Sequence, residues 1–128
     1  MVLGIGPAEN YKQAPPTRNS NDENAEIQVS GAQVGTDWQR LLHQWWIEHR
    51  RYPEEAARRG EQGETVIRFK VDRNGHTSGA QILSRSGSQW LDMQSMATWN
   101  NARLPPFPTN TPENEATITV TIDYILIH

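Results

Sequence analysis

The final stretch of the chain constrains its fold more than any other feature. From Thr117 to His128 it reads Thr-Ile-Thr-Val-Thr-Ile-Asp-Tyr-Ile-Leu-Ile-His. Ile118, Val120, Ile122, Tyr124 and Leu126 fall on one side of an extended backbone, and Thr117, Thr119, Thr121 and Asp123 on the other. A period of two held this long, in β-branched and aromatic residues, makes a strand with one buried face. Such a strand cannot stand alone. It needs neighbours for its ladder and a second layer for its apolar side.

The neighbours are found upstream. From Gly63 the residues Thr65, Ile67, Phe69 and Val71 alternate with Glu64, Val66, Arg68, Lys70 and Asp72, a second half-buried strand. Asn74-Gly75 follows, the pair favoured in a tight type I′ turn, and a return strand runs from about His76 to Ser84 with Ala80 and Ile82 inward. The second layer is helical. Thr36-Asp37-Trp38-Gln39 fits a capping box, and Trp38, Leu41, Leu42, Trp45 and His49 then recur at helical spacing, predicting an amphipathic helix over 37–49. Tyr52-Pro53 ends it and opens a short helix that carries Glu54 and Glu55 at its start, Arg58 and Arg59 at its end and Gly60 just beyond. A third helix, about 89–102, follows the turn at Ser86-Gly87-Ser88 and presents Leu91, Ser95, Trp99 and Ala102, with Met96 beside them, before Leu104-Pro-Pro-Phe-Pro108 stops it. The order predicts an α+β fold: a three-stranded antiparallel sheet with helices packed on one face.

Composition matters most at the N-terminus. Residues 1–36 contain one aromatic, Tyr11, the Pro15-Pro16 pair and the polar run from Thr17 to Asn24; Lys12 and Arg18 face Glu9, Asp22, Glu23 and Glu26. A segment this poor in apolar residues does not offset about 1–2 kcal/mol of backbone entropy per residue, so 1–36 reads as a disordered tail or linker and 37–128 as one folded domain. The whole chain has 12 basic and 15 acidic side chains, net −3, which provides no bulk attraction to nucleic acid or an anionic membrane. It contains no cysteine, which excludes disulfides, thiolate nucleophiles and Cys-held metals. No apolar run reaches the roughly 18 residues of a membrane span.

Catalytic patterns are missing. The sequence holds no H-E-x-x-H, G-x-S-x-G or P-loop, and His43, His49, His76 and His128 have no ligand spacing. Asp92 at a helix start and Asp123 facing outward on a strand read as structural. The chain is expected to be non-enzymatic, without cofactor or metal. The last strand, by contrast, carries no Pro and a single charge, Asp123, so as a sheet edge it would be unguarded. Such an edge serves as a docking rail for an extended peptide, or pairs with a second copy in a strand-exchanged homodimer.

One ordered set of short motifs resembles the TonB C-terminal domain family. Tyr52-Pro53 is followed by Ala56, Gly63, Asp72 to Gly75, Ser86-Gly87, Leu91-Asp92, Pro105-Pro-Phe-Pro108 and the strand from 117. The resemblance covers about 38–128. It implies a periplasmic domain that grips the TonB-box peptide of outer-membrane receptors importing siderophores, haem or cobalamin. It also implies energy drawn from an ExbB–ExbD motor through an N-terminal inner-membrane anchor, so the chain reads as the excised periplasmic part. The expected partner-binding residues are His49, Arg50, Arg51, Tyr52 and Pro53 together with Thr117, Thr119, Thr121, Asp123 and Ile125. The related TolA-like envelope adaptor domain is the alternative.

Overall fold

A computed structural model describes residues 21–126. Along them run β1 (Asn21–Ser30), α1 (Gly35–His49), α2 (Glu54–Arg58), β2 (Gly63–Asp72), β3 (Thr77–Ser84), α3 (Gln89–Trp99) and β4 (Glu115–Leu126). The strands form one antiparallel sheet in the order β1-β4-β2-β3. The helices cover one face of it, joined by a run of rings. Trp46 of α1 stacks on Trp99 of α3 at 5.6 Å, and Trp99 on Phe69 of β2 at 5.2 Å. The predicted α+β class is what forms, with four strands in place of three.

The additional strand lies inside the expected tail. β1 pairs with β4 without a break from Asn21↔Leu126 to Ser30↔Thr117, and α1 also begins before residue 37. The entropy argument failed here because β1 does not have to build a core. It adds to a long strand already held from its other side by β2, so every second residue gains a pair of ladder bonds while only Ala25, Ile27 and Val29 need partial cover. Residues 1–20, the remainder of that expectation, and 127–128 lie outside the described residues.

The period-two pattern fixes the core. Thr65, Ile67, Phe69 and Val71 of β2 are buried, as are Ala116, Ile118, Val120, Ile122 and Tyr124 of β4. On α1 the buried stripe is Trp38, Leu42 and Trp46, while Leu41 is 54% exposed. The helix is thus turned from the predicted face: Trp46 stacks on Trp99, with the half-buried Trp45 also against that ring at 5.1 Å, while Trp38 packs edge-on against Phe107 and donates its indole N–H to the Pro105 carbonyl at 2.9 Å. The Thr36 cap is not used: Val34 precedes the helix and no side chain caps it.

The β2–β3 hairpin also differs from expectation. Gly75 N–H donates to the Asp72 carbonyl, Asp72 N–H to that of His76, and the Asp72 carboxylate accepts from the Asn74 and His76 amides. This is a three-residue loop with one left-handed residue, Gly75 (φ +90°), and not a two-residue type I′ turn. Only glycine fits: a Cβ there would lie 2.0 Å from the Leu104 carbonyl oxygen. That contact ties the Pro-rich exit from α3 to the hairpin, since Leu104 N–H donates to the Gly75 carbonyl at 2.7 Å.

Candidate functional site

The two groups of predicted site residues occupy opposite faces of the sheet. Thr117, Thr119, Thr121 and Asp123 are half-buried on the open face, with Ile125 exposed at their end. His49 to Pro53 lie on the helical side. The link between them runs through a core residue of the same strand, Tyr124, against which the Tyr52 ring packs edge-on at 5.4 Å.

The junction is built residue by residue. His49 closes α1, its ring stacked on Trp45 at 4.0 Å and its Nδ1 2.7 Å from the Trp45 carbonyl. Arg50 leaves helical geometry while its N–H still donates to the Trp46 carbonyl. Arg51 is exposed. The Tyr52 hydroxyl donates to the Glu61 carbonyl at 2.6 Å, spanning α2, and Pro53 in extended geometry sets the start of that helix. Of the basic residues nearby, Arg58 and Arg59 both bind Glu55 at 2.8 Å. The hydrogen bond from Arg59 is the main reason the Glu55 carboxyl is held below its usual range. These two arginines are therefore committed to α2.

The strand half of the site corrects one premise. β4 is not an edge strand in this structure. Its two sides are laddered to β1 and β2, so the main-chain rail expected to be open is occupied by the chain's own residues 21–30. An unguarded edge is here covered instead of blunted. Edge-to-edge pairing of two copies along β4 meets the same obstacle.

The registers sort the open face by charge. Asp123 stands between Asn24 and Glu64, and Thr121 between Glu26 and Val66, which gathers three carboxylates at one end. Glu64 records this: its carboxyl is raised above the ordinary value, first by a hydrogen bond with Asp123, then by the charge of Asp123, with Glu26 adding to it. Toward the other end, Thr119 stands between Gln28 and Arg68, and Thr117 between Ser30 and Lys70. Ser30, Arg68, Lys70, Thr117 and Thr119, together with Gln81, line a hollow of about 670 Å³. Sequence reasoning missed β1, Arg68 and Lys70 as neighbours of the strand. The signal for β1 was present in the alternation of Ala25, Ile27 and Val29 with Asn24, Glu26, Gln28 and Ser30, closed by Gly31.

Asp92 is structural, as read from the sequence. It is buried and accepts from the Thr65 hydroxyl at 2.9 Å and the Ser86 amide at 3.0 Å. Ser88 caps α3, its hydroxyl accepting from the Leu91 N–H.

These features define a small α+β domain organised by one long strand, with a Tyr-Pro junction packed against the end of that strand. The chain belongs to the TonB C-terminal family: residues 48–126 match the family described as Gram-negative bacterial TonB protein C-terminal. It is 31% identical over 112 residues to Protein TonB of Pasteurella multocida (strain Pm70), an alignment covering 85% of this chain and 43% of that protein. It is 33% identical over 88 residues to Protein TonB of Pseudomonas putida, covering 69% and 36%. The chain thus spans about two fifths of the length of these relatives. No solved structure matches it. Among the described residues, no helix is long and apolar enough to cross a membrane.

Proposed function

We propose that this domain is the partner-engaging part of a TonB-type energy transducer in the periplasm, and that it takes the extended box peptide of an outer-membrane receptor as an added strand on β4. The observation that carries this reading is the place of β4 within the family-matched stretch. Residues 48–126 contain α2, β2, β3, α3 and β4, and within that unit the sheet order is β4-β2-β3. There β4 is an edge, long and without Lys or Pro.

Strand addition suits the task. A net contribution of about 0.5–1.5 kcal/mol for each ladder bond gives useful affinity from main-chain groups alone, so one transducer can serve several receptors. Thr117, Thr119, Thr121, Asp123 and Ile125 would meet the open-face side chains of the peptide, and His49 to Pro53 its flank near Tyr124. A force along the added strand would load its bonds together instead of one at a time. Energy would come from an ExbB–ExbD motor in the inner membrane, and the cargo of such receptors is iron–siderophore, haem or cobalamin. No catalysis is required of the domain.

The test is a titration of the isotope-labelled chain with the N-terminal peptide of an outer-membrane receptor, followed by amide chemical shifts. Perturbations concentrated at 117–125 and 49–53 are expected. Shifts confined to the outer side of β3, or none at millimolar peptide, contradict the reading.

A further inference from the structure

We propose that β1 is a built-in occupant of the peptide rail: it stands where the partner peptide would bind, leaves to admit it, and displays the side-chain pattern the rail accepts. The inference rests on the strand-addition reading above and adds to it a competitor and a ligand chemistry.

Four observations converge on β1. It matches β4 residue for residue over its whole length, so nothing can add to that side of β4 while β1 is in place. It is lightly held. Ala25, Ile27 and Val29 are only half-buried and Asn24, Glu26, Gln28 and Ser30 are exposed, whereas the β4 residues facing the core beside them, Ile122, Val120 and Ile118, are fully buried. It is an outer strand, joined to α1 by a short connection that opens at Gly31 (φ +87°) and ends at Gly35 (φ +81°), the first residue of the helix, both in left-handed geometry. And it precedes the stretch that matches the family, whose own elements form the sheet without it. A strand with few buried contacts and a ladder on one side opens at lower free energy than the sheet behind it.

The occupant describes its replacement. β1 runs antiparallel to β4 and places Ala25 opposite Ile122, Ile27 opposite Val120 and Val29 opposite Ile118. Polar residues alternate with them, and the one opposite Asp123 is the uncharged Asn24. The rail therefore takes an extended antiparallel peptide with small or β-branched apolar residues at every second position and a non-acidic residue against Asp123. A bound β1 reduces the apparent affinity for such a peptide by the fraction of molecules in which the rail is open.

Two measurements on the full chain test this. In native-state hydrogen exchange, the β1 amides are expected to exchange at least about tenfold faster than the β2 amides bonded to β4, through an opening that leaves β2 and β3 protected. Equal protection of β1 and β2 would overturn the proposal. In titrations, the probe is a synthetic peptide of the chain's own residues 21–31. The Ile27→Asp/Val29→Asp chain, which disfavours docking of β1, is expected to bind it at least about tenfold more tightly than the unaltered chain. A folded double variant that binds no more tightly would overturn the proposal, and if that variant fails to fold the exchange result on the unaltered chain decides alone. The receptor peptide run in the same titrations separates the two readings. If it binds neither chain while the 21–31 peptide follows the expected pattern, the receptor assignment fails and the built-in occupant stands; if it binds both chains equally, the occupant fails and the receptor assignment stands.

Discussion

Glu64 shows at the residue scale what the sheet registers cost. Three carboxylates, Glu26 of β1, Asp123 of β4 and Glu64 of β2, are drawn together by pairings that the apolar face dictates. The hydrogen bond with Asp123 and that residue's negative charge raise the Glu64 carboxyl above its ordinary 4.5, with Glu26 contributing. A carboxyl raised on folding favours the native state while protonated. Its contribution is complete below 4.5 and is lost as pH climbs through the higher folded value. Glu64→Gln should therefore leave Tm nearly unchanged at pH 4 and raise it relative to the unaltered chain at pH 7, a difference that thermal melts across this range would detect. A difference that is constant with pH would mean the cluster is not what sets the Glu64 carboxyl.

At the scale of elements, the proposed binding mode would let charge at the junction between α1 and α2 tune partner choice. Arg58 and Arg59 are tied to Glu55, and the exposed Arg50 and Arg51 directly precede Tyr52, whose ring packs on Tyr124 of β4. Exposed charge pairs contribute about 0.2–1 kcal/mol each, so Arg50→Ala/Arg51→Ala should weaken binding of an acidic receptor peptide about fivefold and flatten its dependence on salt. Titrations at two ionic strengths check this, and an unchanged salt slope would remove the junction from the binding surface. The elements also differ in how far the sequence revealed them. β2 and β4 were legible to within two residues because alternation over ten or more positions has one structural meaning. α1 was legible as a helix but its buried side was not, since Leu41 and Trp46 are both apolar and the choice between them is made by tertiary partners such as Trp99 and Phe107. β1 escaped because its three modest apolar residues become informative only once β4 is known to lack a neighbour. The hairpin type escaped because the Asp72 side chain, absent from a two-residue reading of Asn74-Gly75, holds the wider loop.

Across the whole molecule, the helices, the ring stack from Trp46 through Trp99 to Phe69 and the buried rows of β2 and β4 form one core on one side of the sheet. The other side is polar, with an acidic end and a basic end. The ladder of β4 to β1 is thereby separate from its buried side chains, which are anchored by β2 and α3, as in the 2.9 Å contact between the Tyr124 and Ser95 hydroxyls. The fold class and the residues of β4 were readable from the sequence, but the state of its edge was not: that depends on a pairing between segments almost a hundred residues apart.

A receptor peptide bound as proposed lies along β4, in the position of β1. Cysteine cross-linking tests it most directly, because the chain has no cysteine of its own. A receptor peptide with single cysteines along its length should form a disulfide with Thr119→Cys, at alternate peptide positions, and none with Ser78→Cys on β3. Cross-links to Ser78→Cys with none to Thr119→Cys would place the peptide at the far edge of the sheet and contradict the account.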